Sequence, residues 1–412
     1  MAAPVEASGS SSTTFSLLGR NLKLDTAADA APHLAALQPD TTTHIELGGN
    51  TLGQDACEAF ARALPTSSIV AFDAADIFTG RLISEIPRSL AALSDALAAA
   101  PALEEVNFSD NAFGGRCADA MTKLFATNQS LRTIRLQNNG LGISGGKIVA
   151  AALAQRAASL SSSDSKSDST LNALYIGRNR LENGSAPDIA AALSQHGASV
   201  EVVAMPQNGI RMAGIQAICE SLGAHCPNLR VLDVQDNTLV FRGSRALARA
   251  IPSWTQLHTL NLSDTLLRSK GGSLVFDALA KVPDSKLEVL QLQYCELNRT
   301  ALADLARALE TGLPALKVLE LHGNWAEEED ECIEKIKAEM ERRGALDGLK
   351  GLDELEPEAE EEEDDEEEDE EEDGDEEEDQ DAADQHQDDK KSAKADTSID
   401  ALADALSAKV GL

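Results

Sequence analysis

The sequence predicts an α/β solenoid in which short parallel strands alternate with helices, and three observations carry that prediction. The pattern L-x-x-L-x-L-x-x-N-x-L recurs through most of the chain. Most copies lie 28 to 30 residues apart, room for a strand, a turn and a full helix. Aromatic residues make up only 3% of the 412 positions, so the core must be built from Leu, Ile, Val and Ala.

Along the chain, Phe15 to Leu24 reads as a capping turn, and the copy from Thr42 to Leu52 places Asn50 at its turn. The copy at Ile69 is degenerate: Ile69, Phe72 and Ala74 keep the ladder, but Ile77 takes the ninth place. Leu103, Val106, Phe108, Asn111 and Phe113 restore the pattern, as do Leu131, Ile134, Leu136, Asn139 and Leu141. Copies beginning at Leu171, Val200, Leu229 and Leu316 carry Asn179, Asn208, Asn237 and Asn324 in ninth place. Those at Leu257 and Leu287 substitute Thr265 and Cys295. Ten concordant copies make this a leucine-rich-repeat solenoid, a horseshoe of the ribonuclease-inhibitor type with strands concave and helices convex.

The pattern has a physical reading. The L-x-L element is a strand whose leucines point into the core while the intervening residue faces out. The Asn amide bonds backbone groups that would otherwise be orphaned between stacked coils. Ala-rich stretches such as 89–100 and 243–250 have helix-forming composition. The 40-residue interval before Leu171 holds SSSDSKSDST, a polar loop extruded from the stack.

Charge sets the domain boundaries. The formal net charge is −35, and residues 353–381 hold 24 Asp or Glu with no Lys or Arg. Residues 382–412 contribute −2, which leaves −9 for 1–352. So dense a polyanion cannot bury apolar surface and is expected to be disordered. The expected division is a disordered start (1–14), a repeat domain (15–352), an acidic segment (353–381) and a tail (382–412). An excess of acid argues against a nucleic-acid surface. No stretch approaches the roughly 20 apolar residues of a membrane span. The start lacks the basic and apolar regions of a secretory signal. Six scattered cysteines without a CxxC pair read as reduced thiols. An intracellular, cytoplasmic protein without its own metal or cofactor is expected, and a solenoid with capped ends is expected to be monomeric.

Motifs for covalent chemistry fail on inspection. Gly145-Gly146-Lys147 resembles the end of a phosphate loop, but Ile148 follows where Ser or Thr is needed. Neither HExxH nor GxSxG occurs, and Cys219, His225 and Cys226 read as a helix end with core thiols. What remains is the rim where strands run into the following loops. The residue before each turn position is Gly49, Asp76, Asp110, Asn138, Arg178, Gln207, Asp236, Asp264, Tyr294 or Gly323. That column is polar nearly throughout, and it suits either plain solvation or a basic protein surface. The degenerate repeat continues as DIFTGRLISEIP, an unusual loop that carries Arg81 as an exposed charge.

In order along the chain, DIFTGRLISEIP, SDNAFG (109–114), QNNGLG (137–142), GRNRLENGS (177–185) and QNGIR (207–211) resemble the Ran GTPase-activating proteins. The resemblance spans about residues 15 to 381, and the acidic tail follows as in fungal members. It implies an activator that works on the active site of Ran, which itself binds GTP and Mg²⁺ and supplies the glutamine that orients water. It implies that Asn138 holds that glutamine and that Arg81 is essential through organising the interface. Asp76, Asp110, Arg178 and Asp236 are then expected to contact Ran-GTP, with a Ran-binding protein and an exportin as further candidate partners, and with perinuclear or shuttling behaviour. Two other readings share parts of the pattern: an acidic leucine-rich-repeat histone chaperone, and a non-catalytic binding scaffold. The first has fewer, shorter repeats and no FTGR loop, and the second depends on many cysteines.

At the C-terminus, Ile399, Leu402, Leu406 and Val410 recur at helical spacing behind Thr397 or Ser398 as cap. Leu402, Leu406, Val410 and Leu412 resemble a leucine-rich export signal, with an ordinary amphipathic helix as the alternative.

Overall fold

A computed structural model describes residues 13–161 and 171–357. The first two coils contain β1 (Thr13–Ser16), β2 (Lys23–Leu24), α1 (Ala27–Leu34), β3 (Thr42–Glu46), β4 (Thr51–Leu52) and α2 (Gln54–Ala63). Next come β5 (Ala71–Asp73), α3 (Ile86–Ala98), β6 (Glu105–Asn107), α4 (Thr122–Thr127), β7 (Thr133–Arg135) and α5 (Gly142–Ser161). The middle holds β8 (Ala173–Tyr175), α6 (Glu182–His196), β9 (Val202–Ala204), α7 (Met212–His225), β10 (Val231–Asp233) and α8 (Val240–Ala250). It closes with β11 (Thr259–Asn261), α9 (Arg268–Ala280), β12 (Val289–Gln291), α10 (Arg299–Thr311), β13 (Val318–Glu320), α11 (Glu331–Arg342) and β14 (Leu349–Lys350).

Twelve of these strands form one parallel sheet in chain order, and β2 pairs with β4 in a separate ribbon. Apart from a register shift between Thr13 and Thr14 where β1 meets β3, the pairing is uniform: Phe72 faces Val106, Val106 faces Ile134, and Ile134 faces Leu174. All four are buried. Repeating an apolar residue at the same register stacks one coil's core on the next, which is how thin strands build a continuous interior. The chain is a leucine-rich-repeat solenoid. Its described part starts at Thr13 and reaches an isolated parallel bridge between Trp325 and Glu356, a few residues beyond 15–352 at each end.

The turn asparagines are buried and linked from coil to coil. Asn139 Nδ2 donates to the carbonyls of Leu136 and Phe108, each at 3.0 Å, while its Oδ1 accepts from Asn111 N at 2.9 Å. Asn179 repeats this on Asn139 N, and Asn208 on Asn179 N. Where Asn is absent the linkage thins. Thr265 Oγ1 donates to the Leu262 carbonyl of its own coil, and Cys295 Sγ offers a weak donor to the same carbonyl at 3.0 Å. The Ser-rich insertion at 162–170, the first 12 residues, the acidic run from 358, and Leu402, Leu406, Val410 and Leu412 lie outside the described residues.

Candidate functional site

The rim column has a conformation of its own. Gly49, Asp76, Asp110, Asn138, Arg178, Gln207, Asp236, Asp264, Tyr294 and Gly323 all lie at left-handed φ, between 48° and 70°. Each N–H donates to a carbonyl of the next coil; Asn138 reaches Gly177 O at 2.9 Å and Arg178 reaches Pro206 O at 2.8 Å. The left-handed bend carries the chain from the strand end into the turn and leaves this side chain at the rim while the following Asn goes inward. Gly, Asn and Asp accept that backbone readily, but Arg178, Gln207 and Tyr294 occupy it at a cost of roughly 1 kcal/mol each. The result is a row of polar side chains on a rigid ladder.

Asn138 and Asn139 therefore differ sharply. Asn139 is fully buried. Asn138 is half-buried at the rim, and its Nδ2 donates to Asp110 Oδ1 at 3.0 Å. Arg178 is exposed, whereas Asp236 is half-buried beside a cleft of about 520 Å³ that it shares with Arg180, Glu182, Gln207 and Asp264. Burial first, and the charge of Asp236 second, raise the Asp264 carboxyl above its ordinary value.

The loop after β5 departs from the expected exposed arginine. The Arg81 side chain is only 9% exposed. Its Nε donates to Thr51 Oγ1 at 2.8 Å, Nη2 to Thr51 O at 2.7 Å, and Nη1 to Asp25 Oδ1 at 2.5 Å. The guanidinium thus covers the edge of the β2–β4 ribbon, where the degenerate repeat supplies no third strand. Asp76 holds the same loop, its Oδ1 accepting from Thr79 Oγ1 at 2.5 Å. Immediately after Arg81, Leu82 is 66% and Ile83 49% exposed. Sequence reasoning passed over this apolar pair; the signal was two large apolar residues outside the ladder, just past a Thr-Gly bend. Asp25 and Thr51 were also missed, since nothing local ties them to Arg81.

Other motifs resolve into packing. A Cβ on Gly146 would collide with Ser185 and Leu181, so this glycine lets α5 and α6 approach closely, while a Cβ on Gly145 would crowd Gly115 and Leu141. All six cysteines are free and buried, and burial pushes the Cys219 and Cys226 thiols up to about 12. Among the described residues no His, Cys, Asp and Glu cluster is arranged to hold a metal, and no helix is long and apolar enough to cross a membrane.

No protein-family model matches the sequence. Among curated proteins, the chain is 36% identical over 336 residues to Ran GTPase-activating protein 1 of Saccharomyces cerevisiae, covering 79% of this chain and 82% of that protein. It is 34% identical over 346 residues to the Ran GTPase-activating protein of Drosophila melanogaster, covering 82% of this chain and 56% of the fly protein. Of solved structures, the leucine-rich repeat-containing protein LegL7 from Legionella pneumophila aligns over 79% of this chain and 99% of its own length. That likeness has a TM-score of 0.42 and 16% identity, too distant to carry an argument.

Proposed function

The chain belongs to the Ran GTPase-activating protein family, and we propose that it accelerates GTP hydrolysis by Ran through rim residues that order Ran's own catalytic glutamine. In this reading the chain is an activator and has no hydrolytic site of its own. Ran brings the nucleotide and Mg²⁺, and this chain brings fixed polar groups. The observation that carries the reading is Asn138, a rim amide on a rigid left-handed turn with its side-chain oxygen unused among the described residues. A group held this way costs little reorganisation when the transition state forms. Activators of this kind supply up to about 10⁵-fold, or about 7 kcal/mol of barrier.

The remaining site residues divide by position. Arg81 acts from within: it fixes the loop that presents Leu82 and Ile83, an apolar pair suited to Ran's surface. Arg178 and Asp236 offer polar contacts farther along the rim, and Asp76 braces the Arg81 loop as well as facing the partner. The net negative charge of the chain favours encounter with a basic surface, an attraction that weakens as salt rises. The chain acts as a monomer in the cytoplasm, with a Ran-binding protein able to join the complex. The C-terminal apolar repeat of Leu402, Leu406, Val410 and Leu412 engages an exportin. Hydrolysis of Ran-bound GTP, followed with and without the purified chain, tests the activity. Replacing Leu402 and Leu406 by Ala and locating the protein in cells tests the export reading.

A further inference from the structure

The side-chain amide of Asn138 has one orientation imposed on it. Its Nδ2 donates to Asp110 Oδ1 at 3.0 Å, across one coil boundary and 28 residues of sequence. Both residues are clamped by the rim ladder: Asp110 N donates to Gln137 O at 2.8 Å and Asn138 N to Gly177 O at 2.9 Å. Both sit at left-handed φ, 61° and 54°. An ionised carboxylate can only accept, so it captures the NH₂ end of the amide; the flipped amide would set two oxygens against each other. Oδ1 of Asn138 is then the end left for a partner. A charged acceptor makes the bond stronger than a neutral one and polarises the amide, which improves the outward oxygen as an acceptor.

We propose that Asp110 is a positioning residue for the activation reaction, fixing Asn138 with its carbonyl oxygen outward so that the group it engages on Ran is a hydrogen-bond donor. A glutamine side-chain NH₂ is such a group. Held through one N–H by Asn138, that glutamine loses its freedom to flip, and its own oxygen is set in one direction to accept from water. The proposal rests on the reading of Asn138 above. It also changes the role of Asp110 from direct partner contact to support of its neighbour.

The test is single-turnover hydrolysis of Ran-bound GTP across a range of concentrations of the full chain. Asp110→Gly removes the carboxylate and keeps a residue that accepts left-handed φ, so the fold is retained and a thermal melt checks it. The maximal rate should drop roughly 10- to 100-fold, with the half-saturating concentration changed less than about twofold. Asp110→Asn, which keeps an acceptor oxygen, should recover most of that rate. In an Asn138→Gly background, Asp110→Gly should cause no further loss, because both changes remove the same oriented oxygen. A full additional loss in that background, a rise in half-saturation alone, or an unchanged rate would each overturn the positioning role. A wild-type chain without effect on Ran would instead overturn the underlying reading.

Discussion

Arg81 bonds Asp25 across 56 residues of sequence, Nη1 to Oδ1 at 2.5 Å, and so fastens the loop after β5 to the ribbon of the first two coils. That hydrogen bond is also the largest influence holding the Asp25 carboxyl below its ordinary value. Arg81→Ala would strand Thr51 and its neighbours and free Leu82 and Ile83. The variant should lose stimulated hydrolysis and also about 1–2 kcal/mol of stability, seen as a lower Tm. Arg81→Lys should restore only part of either, because an ammonium cannot span three acceptors in a fork. A fully stable, inactive Arg81→Ala protein would return Arg81 to the direct contacts.

Asn139→Ala should behave as a stability defect. It leaves the buried N–H of Asn111 without its acceptor and removes one donor each from the carbonyls of Phe108 and Leu136, which keep Asn111 Nδ2 and Asn179 Nδ2. The expected loss is about 1–3 kcal/mol, read as a lower denaturant midpoint with the maximal rate preserved in the folded fraction. A stable but inactive variant would reverse the assignment of the two adjacent asparagines.

The thinned linkage at Thr265 points the other way. Thr265 Oγ1 serves one carbonyl, at 2.6 Å, where an Asn serves two and accepts from the preceding coil. Thr265→Asn should therefore raise stability by roughly 0.5–1.5 kcal/mol, visible in the midpoint of urea unfolding. A lower midpoint would mean that the coil has closed around the smaller side chain.

Stability should also respond to acid through His196. His196 is 4% exposed and its ring is bonded to the Leu153 carbonyl at 3.1 Å. Burial first, then the charge of Arg156, pushes it down to about 4. The unfolded chain takes up this proton near pH 6.5, the folded chain only near pH 4. Between those values the unfolded state binds more protons, so stability falls as pH drops, by about 3 kcal/mol over the whole interval. His196→Gln should flatten the slope in that window when unfolding midpoints are compared from pH 7 to pH 4.5. An unchanged slope would assign the acid sensitivity to other groups.

The solenoid was legible because its determinants repeat. Leucines at fixed spacing and Asn50, Asn111, Asn139, Asn179, Asn208, Asn237 and Asn324 each announce the same local geometry. Even the breaks at Ile77, Thr265 and Cys295 could be placed by counting. The rim was legible as a column of positions, but its left-handed backbone at Arg178, Gln207 and Tyr294 was not, since these residue types do not advertise it. Tyr294 fits there because its ring lies over Gly323, where a Cβ would collide. The supports of the site were hidden for a different reason. Thr51 lies 30 residues from Arg81, and Asp110 lies 28 from Asn138. Such contacts are set by coil stacking, which local propensity does not encode.

The central claim is that Asn138 acts on Ran's chemistry from a rigid rim, and the maximal rate of Ran-bound GTP hydrolysis at saturating activator tests it most directly. Asn138→Gly is the informative variant, because Gly tolerates the left-handed turn and removes only the side chain. The account predicts strong stimulation by the wild-type chain, and for Asn138→Gly a maximal rate more than about tenfold lower with half-saturation changed less than about twofold. A variant that matches the wild-type maximal rate, or a wild-type chain that leaves Ran at its own slow rate, would contradict it.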